Sequence, residues 1–539
     1  MSTPVVEIGS RPLTREQIIA VARDNAQVHL SEAALRALGM GRMQLEALAA
    51  TGLPAYGLTT GVGALMSERV DRHQMAEIQQ ALVDSHAAGI GAAVEAETVR
   101  AMAVLRLRTL ATGRTGVRPV VARALAGLLN SGLVPIVNEY GSLGCSGDLA
   151  PLAAVAAALT GRGRVLVQRE PRLAPAALAG REGPDASAAM AGCVQPADQA
   201  LREAGLTPVR LAHKEALALM NGTEGMLGML VLSTADLQAL LDVADLTAAL
   251  SLQALRGTDR PFAAELQELR PHPGQSRAAA HLRDLLAGSE LLRVHNDGSQ
   301  DPYCLRCVPQ VHGAARDALA YASGVADREL ASCIDNPVLL PEGRLESNGN
   351  FHGAPLAHAM DFLAIVVADL AVMAERRTDR MLDRTRSQGL PPFLAFRPGV
   401  DSGYMIAHYT QVSLVADLKR LAVPASVDST PTSAGQEDHV SLGWSAGRKL
   451  RRSLELLRAV LGIEFLTAAR AVDLRAPDRP APACQDAIDL LRTAVPGPGP
   501  DRHLAPDIAA ATELITSPAL LDIVNRPVAN LLEERSTHV

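Results

Sequence analysis

Hydrophobic positions along the chain recur mainly at spacings of three and four residues. This period belongs to one face of an α-helix, whereas a β-strand alternates with a period of two. The pattern predicts helices over residues 99–110, 120–129, 233–255, 311–331, 356–381, 404–421 and 442–471, and the end of another over 81–91. Residues 164–168 form one short candidate strand. Long helices with few strands favour a helical bundle over an α/β sheet.

The apolar side chains are mostly small, which suits closely packed helices. Of the 539 residues, 48% are hydrophobic but only 2% are aromatic, so alanine, leucine and valine must fill the core. This apolar content argues against long disorder. We expect an N-terminal region over residues 1–210 and a helical bundle with a C-terminal helical region over 211–539. A proline-rich stretch at 169–198 is interpreted as a surface excursion.

Charge and cysteine content narrow the class of protein. Acidic residues outnumber basic ones by 58 to 51, which argues against a nucleic-acid-binding surface. We find no signal peptide and no run of about 18 apolar residues, so no membrane span is expected and the protein is predicted to be cytoplasmic. Six cysteines show no disulfide framework.

Two short motifs carry little weight. Cys304 and Cys307 form a C-x-x-C, but no second pair exists to complete a structural zinc site, so no metal is expected. Residues 443–447 fit G-x-S-x-G, yet the nucleophile elbow of a hydrolase follows a strand, and here the pattern is helical. We interpret its glycines as small residues at a helix–helix contact.

The most informative segment is GSLGCSGDLAPLA at residues 141–153. Considered alone, it predicts a glycine-rich turn followed by a helix, with Asp148 as a possible N-cap.

This segment closely resembles the signature of the histidine and aromatic amino-acid ammonia-lyase family. Five further segments resemble that family's motifs in the same order: YGLTTGVG at 56–63, KEALALMNGT at 214–223, QDPYCLRC at 300–307, NFHG at 350–353 and QEDHVS at 436–441. The resemblance covers nearly the whole chain. It implies a mainly α fold with a long central helical bundle of the ammonia-lyase/fumarase-like type and a smaller N-terminal mixed region. It also implies a homotetramer whose active sites are shared between subunits.

The resemblance further implies a cofactor made from the chain itself, 4-methylideneimidazol-5-one (MIO). The amide nitrogen of Gly147 would attack the carbonyl of Cys145, and Ser146 would lose its hydroxyl as water. Glycine gives the backbone the freedom for this close approach. The family's usual first residue is alanine, but its signature admits cysteine, since that residue contributes only its carbonyl.

The matching motifs also assign roles to individual residues. Tyr56 matches the base that removes the β-proton, and as a phenolate it needs nearby donors or positive charge. Arg306 matches the arginine that binds the substrate carboxylate, where a two-pronged guanidinium fits well. The resemblance places four more residues around the MIO group and the substrate: Asn221, Gln300, Tyr303 and Phe351.

Two positions indicate the substrate. His86 follows Ser85 in VDSHAAG at 83–89, and this Ser-His pair resembles the one that histidine lyases carry at the same place. Glu437 stands where histidine lyases carry glutamate and phenylalanine or tyrosine lyases carry glutamine. A carboxylate suits a polar imidazole and would be costly beside a phenyl ring. Together they favour elimination of ammonia from L-histidine to give urocanate.

Alternatives remain at the level of sequence. The chain departs from the usual histidine-lyase pattern at Val62, Glu224, 347–349 and 417–419. A phenylalanine or tyrosine ammonia-lyase, a 2,3-aminomutase of the same family, and a catalytically inactive helical scaffold therefore stay open.

Overall fold

The computed structural model describes residues 4–53, 55–68, 74–168, 192–293 and 300–526. Within these ranges the chain forms nineteen α-helices: α1 (Arg15–Arg23), α2 (Glu32–Ala50), α3 (Met75–His86), α4 (Ala96–Ala111), α5 (Pro119–Asn130), α6 (Leu149–Leu159), α7 (Ala197–Glu203), α8 (Glu215–Met220), α9 (Glu224–Ala254), α10 (Ala264–Glu268), α11 (Pro273–Leu286), α12 (Tyr303–Arg306), α13 (Val308–Leu330), α14 (Ala354–Leu382), α15 (Met405–Leu421), α16 (Gly443–Asp473), α17 (Pro482–Arg492), α18 (Leu504–Leu514) and α19 (Pro518–Val524).

The strands are short and form four small sheets. They are β1 (Val5–Ile8), β2 (Gln27–Leu30), β3 (Ile90–Ala93), β4 (Leu133–Pro135), β5 (Asn138–Tyr140), β6 (Arg164–Gln168), β7 (Gly192–Pro196), β8 (Val338–Leu339) and β9 (Leu345–Glu346). β1 and β2 pair in parallel. The other sheets are antiparallel: β3 with β5, β4 with β6 and β7, and β8 with β9.

The helical prediction is confirmed for all seven long segments, and β6 is the predicted strand at 164–168. The helix predicted to end within 81–91 is wrong in its last residues. α3 stops at His86, and β3 begins at Ile90. Gly91 has a φ of +95°, which the helix does not accommodate.

The proline-rich stretch predicted at 169–198 falls largely on residues 169–191, which lie outside the described ranges. Its remaining part, residues 192–198, forms β7 and begins α7. β7 pairs with β6 along its whole length.

The expectation that no segment is long and apolar enough to cross a membrane needs correction. By length and composition alone, α9 and α14 pass that test, with mean hydropathy of 1.5 and 1.9. Within these apolar windows, 78% and 67% of the residues are buried inside the protein, as in the core helices of a folded domain. Most of their apolar side chains therefore pack inside the protein, although Phe362 and Ile365 of α14 are exposed.

The described chain divides into two compact units. Unit 1 comprises residues 1–232, 324–358 and 425–448, and unit 2 comprises 233–323, 359–424 and 449–539. All four small sheets belong to unit 1. Each unit draws on three separate chain segments, and the predicted boundary at residue 210 stays a prediction.

Helix α4 forms the buried centre of unit 1. The arginines of α4 are buried, and their guanidinium groups donate hydrogen bonds to main-chain carbonyls. The Arg100 guanidinium donates to Val21 O at 2.9 Å and to Leu129 O at 3.1 Å. Burial lowers the pKa of Arg100 to about 10. These bonds tie α4 to the ends of α1 and α5.

The beginning of α16 packs closely in unit 1. A Cβ added at Gly443 would lie 2.4 Å from the sulfur of Met226 and 3.3 Å from the Ala357 side chain. The G-x-S-x-G motif is therefore helical, and its first glycine allows close contact with neighbouring helices, as the sequence predicted.

A buried ion pair joins three helices of unit 2. Arg377 on α14 and Glu464 on α16 are both inaccessible to solvent, and the Arg377 guanidinium donates to the carboxylate at 3.0 Å. The hydroxyls of Thr247 and Ser251 on α9 donate to the same carboxylate at 2.8 Å each. Every carboxylate oxygen is thus hydrogen-bonded, as a buried charge requires.

A second buried carboxylate in unit 2 belongs to Asp245 on α9. It lies 2.7 Å from His312 Nδ1 and 2.8 Å from His281 Nδ1, and Arg316 also donates to it. Burial alone would raise the pKa of Asp245. The hydrogen bonds from both histidines and the charge of Arg316 outweigh burial and hold that pKa well below its ordinary value.

His281 faces an acceptor at each ring nitrogen. Nδ1 faces Asp245, and Nε2 lies 3.0 Å from the carbonyl of Val524, the last residue of α19. A neutral imidazole has only one N–H, so both bonds require the charged ring. Burial opposes that charge, yet the hydrogen bond to Asp245 raises the pKa of His281. The charged ring therefore fastens α19 to α9 and α11.

We expect α19 to loosen as the pH rises. A raised folded-state pKa means that the stabilisation is complete below the unfolded value of about 6.5 and is lost as the pH passes through the folded value. Hydrogen exchange of peptides covering 518–526, corrected for intrinsic rates, should show protection that falls with pH. In a His281→Gln variant, protection should be low and independent of pH. Peptides from α1 are the control, and equal pH dependence in both proteins would contradict this role.

Candidate active site

The predicted tripeptide Cys145–Ser146–Gly147 lies against the turn between α8 and α9. Gly147 has a φ of +76°, and a Cβ there would lie 2.0 Å from the carbonyl oxygen of Gly222. The N–H of Asp148 donates to that same oxygen at 2.7 Å. Only glycine fits at position 147, and Asn221 is therefore brought beside the tripeptide.

Asp148 connects this loop to the start of α9. It stands at the N-cap position of α6, as the sequence predicted, but its side chain makes no capping bond to that helix. Instead it accepts from the N–H of Met226 at 2.8 Å and from the hydroxyl of Ser142 at 3.1 Å. Burial raises the pKa of Asp148 to about 7, although these two donors favour its charged form. Asp148 thus caps the first turn of α9, 78 residues away along the chain.

On its other side, the tripeptide loop is tied to the end of QEDHVS and to the residues that follow it. The hydroxyl of Ser441 donates to Gly144 O at 3.1 Å, and the N–H of Leu442 donates to Leu143 O at 2.9 Å. The indole N–H of Trp444 donates to Glu139 O at 2.8 Å. The loop is therefore held from two sides by segments distant in sequence.

Glu437 lies beside the first residue of the tripeptide. Burial and the negative charge of Glu437 raise the pKa of the Cys145 thiol to about 11. The hydroxyl of Thr432 donates to the Glu437 carboxylate at 3.0 Å. The predicted substrate-selecting carboxylate and the predicted tripeptide are thus neighbours.

Tyr56 lies in a loop that contacts the Glu437 segment. Its phenol oxygen accepts the N–H of Gly63 at 2.9 Å, at the start of the short 3₁₀ helix Gly63–Leu65. The next N–H, from Ala64, donates to the Ser433 hydroxyl at 3.3 Å. The phenol oxygen therefore has one main-chain N–H donor, the kind of group that stabilises a phenolate.

Asn221 ends α8, and its own polar groups are almost all engaged. Its carbonyl accepts from the buried guanidinium of Arg106 at 2.7 Å, and its Nδ2 donates to Asn336 O at 3.1 Å. Arg106 is paired with Glu224 at 3.0 Å. Among the described residues no partner reaches Asn221 Oδ1, which is buried and remains an available acceptor.

His86 is the last residue of α3. Its Nδ1 lies 2.9 Å from the carbonyl of Leu82 and 3.1 Å from the Ser85 hydroxyl, which itself donates to Leu82 O. With Nδ1–H donated to that carbonyl, Nε2 is left as an acceptor. α3 packs against α6 and α8, the helices that flank the tripeptide and Asn221.

Phe351 is half-buried in the turn before α14. The next residue, His352, stacks on His439 with ring centroids 5.5 Å apart and planes inclined by 3°. Phe351 therefore lies close in sequence to a contact with the Glu437 segment. Unit 1 thus contains Tyr56, His86, the tripeptide, Asn221, Phe351 and Glu437.

Gln300, Tyr303 and Arg306 belong to unit 2. Gln300 and Arg306 line a cavity of about 480 Å³. The Arg306 guanidinium lies over the Tyr303 ring, 4.6 Å from its centroid, and the tyrosine is 70% exposed. Arg306 thus presents positive charge to an open cavity. Cys304 and Cys307 are free thiols, and no cluster of three or more metal-ligating side chains occurs among the described residues.

Sequence reasoning missed the buried charges that support the site. Arg106, which is paired with Glu224, holds the main chain at Asn221, just after α8. At the start of α8, Lys214 pairs with Asp335. The available signal was an arginine or lysine at a position where the helical pattern predicts an apolar core residue. That signal marks a buried charge but does not reveal its partner.

Comparisons with known proteins identify the family and the fold of the chain. A family model described as aromatic amino acid lyase matches residues 13–493. A histidine ammonia-lyase of Streptomyces avermitilis is 54% identical over 531 residues, covering 97% of this chain and 99% of the relative.

Two solved structures have the same fold. A tyrosine aminomutase from Streptomyces globisporus superposes with a TM-score of 0.87 at 35% identity, covering 98% of each chain. A histidine ammonia-lyase from Trypanosoma cruzi superposes with a TM-score of 0.85 at 32% identity, covering 96% of this chain and 95% of that one. The predicted mainly helical fold of the ammonia-lyase type is confirmed. Since motifs, sequence and fold agree over nearly the whole length, the chain belongs to the aromatic amino acid lyase family.

Proposed function

We propose that this protein eliminates ammonia from L-histidine and releases urocanate. The observation that carries the proposal is the arrangement in unit 1, where the tripeptide loop is held between Asn221–Gly222 and the Glu437 segment. The relative from Streptomyces avermitilis, a histidine ammonia-lyase at 54% identity, supports the same substrate. In this elimination the electron pair of the C–N bond leaves with ammonia. The proton on the β-carbon is removed, and the electron pair of its C–H bond forms the new double bond.

We infer that Cys145, Ser146 and Gly147 cyclise to the MIO group. The close approach of Gly147 to Gly222 fits this group, because the loop has no room for a Cβ there. Ties on both sides of the loop restrict the tripeptide to a compact conformation. When formed, MIO supplies an electrophilic methylidene carbon that activates the substrate amine as a leaving group. No metal is needed for that chemistry.

The remaining residues bind the substrate and move one proton. Tyr56 takes the β-proton as the phenolate, and the Gly63 N–H, which donates to the phenol oxygen, stabilises that anion before it is protonated. Arg306 binds the substrate carboxylate, with Gln300 and Tyr303 beside it. Asn221 Oδ1 suits an N–H of the substrate amine, since it is a buried acceptor. Phe351 packs near the MIO ring.

The choice of substrate depends on His86 and Glu437. His86 Nε2 is an acceptor for an imidazole N–H, and Glu437 offers a charged acceptor. A phenyl ring offers neither group a hydrogen bond, at a cost in binding. A tyrosine aminomutase with a TM-score of 0.87 keeps the tyrosine-lyase and aminomutase alternatives in view.

We further propose a homotetramer in the cytoplasm, with active sites shared between subunits. The exposure of Tyr303 in a single chain supports this assembly, because a site residue at 70% exposure calls for a covering surface. Neither nucleic acid nor membrane is part of the proposed function.

The substrate is tested by supplying L-histidine, L-tyrosine and L-phenylalanine in parallel and identifying the organic product. We expect ammonia and urocanate from histidine alone. A charged imidazole can donate to both His86 and Glu437, whereas a tyrosine hydroxyl can donate to only one of them and a phenyl ring to neither. Cinnamate-type products would shift the assignment to a tyrosine or phenylalanine lyase. A β-amino acid would identify an aminomutase. Failure to convert any of the three would contradict the proposed function and favour the inactive scaffold.

The MIO group is tested by mass. The denatured wild-type peptide containing residues 145–147 should be lighter than its sequence by two water molecules. A Ser146→Ala variant should lose the methylidene and fall to background ammonia release, because its side chain has no hydroxyl to eliminate. Circular dichroism should show an unchanged helical fold. Full activity in this variant would overturn the MIO assignment.

Glu437→Gln tests substrate selection. Removing the charge while keeping the shape should lower kcat/KM for histidine by about 10- to 100-fold, the range for losing a hydrogen bond to a charged group. Glu342→Gln, at an exposed glutamate of the same unit, is the matched control and should leave kcat/KM unchanged. An equal effect of both variants on kcat/KM would show that Glu437 has no specific role in substrate selection.

A further inference from the structure

The dipeptide Asp335–Asn336 joins two segments of the proposed site. Both residues lie before β8 in unit 1, and neither belongs to a motif identified from sequence. Their hydrogen bonds reach helix α8, which ends at Asn221, and the turn that precedes Phe351. One short segment is therefore hydrogen-bonded both to Asn221 and to the turn before Phe351.

The first link is a buried ion pair. Lys214 Nζ contacts the Asp335 carboxylate, and the two side chains are only 1% and 0% exposed. Lys214 Nζ also donates to Thr115 O at 3.1 Å. Lys214 starts α8 with a φ of +69°, a conformation that residues with a Cβ rarely adopt. Its backbone and charge together fix the start of α8.

The second link holds the other end of the same helix. Asn336 O accepts from Asn221 Nδ2 at 3.1 Å. Because the nitrogen of the carboxamide is engaged there, its oxygen Oδ1 must point the other way, and it is buried without a partner among the described residues. The short helix α8 is thus anchored at both ends on adjacent residues.

The third link extends to the turn before Phe351. Asn336 Oδ1 accepts from the N–H of Asn348 at 3.0 Å, and Asn348 Nδ2 donates to Asp335 O at 2.9 Å. Asn348 Oδ1 in turn accepts from the N–H of Asn350 at 2.9 Å. The turn therefore takes its position from the same dipeptide.

We propose that Lys214 and Asp335 are positioning residues for the lyase reaction. Their ion pair fixes the carbonyl of Asn336, so that Asn221 presents Oδ1, rather than Nδ2, to the substrate amine. Neither residue touches the tripeptide in the described contacts, so the pair acts through Asn221. This inference rests on the proposed function for the catalytic effect, while the orientation of Asn221 is independent of it.

The test begins with Asp335→Asn, which keeps the shape and removes the charge. We expect kcat to fall by about 10- to 100-fold, the range for a displaced reactive group, with KM changed less than the rate. The peptide containing residues 145–147 should keep its loss of two waters. In an Asn221→Ala background the same substitution should have little further effect, because the group it positions is gone. An equal loss of rate in both backgrounds would reduce the pair to a structural role and overturn the proposal.

A crystal structure of Asp335→Asn gives a readout that needs no substrate. We expect the Asn221 carboxamide to turn or leave Asn336 O, and an unchanged Asn221 with an unchanged rate would overturn the proposal. If the wild type releases no ammonia, the proposed function fails, yet the crystal structure still decides the positioning. Glu346→Gln, in the exposed ion pair with Arg344, is the matched control and should change neither kcat nor the Asn221 geometry.

Should Asp335→Asn fail to fold, the double variant Lys214→Met, Asp335→Asn removes both charges and leaves no unpaired buried charge. We expect this variant to fold and to show the same selective loss of kcat. Wild-type kcat in the folded double variant would overturn the proposal, because the ion pair would then be dispensable for Asn221.

Discussion

The close backbone contact between Gly147 and Gly222 is the constraint on which the rest of the site depends. It brings together two loops 75 residues apart, and it exists only because neither position carries a side chain in the way. A Cβ at Gly147 would meet Gly222 O, and a Cβ at Gly222 would meet the Glu224 carboxylate and the Arg106 guanidinium. The glycines in CSGD and NGT are therefore required by packing, and the proposed cyclisation adds a second requirement at Gly147 alone.

Buried charges then fix the loops on either side of that contact. Asp148 caps α9, Arg106 holds the carbonyl of Asn221, and the Lys214–Asp335 pair anchors α8. Each of these charges lies in an interior made mainly of alanine, leucine and valine, where an unpaired charge would be costly. Because each charge has its partner in only one arrangement of the loops, the pairs favour a single geometry over alternatives that apolar contacts alone would tolerate.

Local patterns in the sequence predict local structure well and long-range pairing poorly. The spacing of Leu and Ala predicted the long helices, because helix faces must bury them, and β6 followed from its alternation. The motifs located the tripeptide, Tyr56, Asn221 and Glu437 through resemblance. No local pattern could tell that Asp148 caps α9 instead of α6, or that Asn336 binds Asn221, since each partner is more than 70 residues away. No membrane-length apolar window was expected, yet α9 and α14 each contain one. Hydropathy alone does not reveal that most of each window is buried inside the protein.

Cysteine at the first position of the tripeptide has a consequence for tolerance of oxidants and alkylating reagents. Thiols react with both as thiolates, and a pKa of about 11 leaves roughly one Cys145 in ten thousand ionised at neutral pH. The neighbouring Glu437 carboxylate repels the anionic form that would react. Cys145 is therefore a poor site for oxidation or alkylation, although it belongs to the proposed active site. The Glu437 carboxylate, to which the proposed function assigns substrate selection, thus also protects the residue next to it.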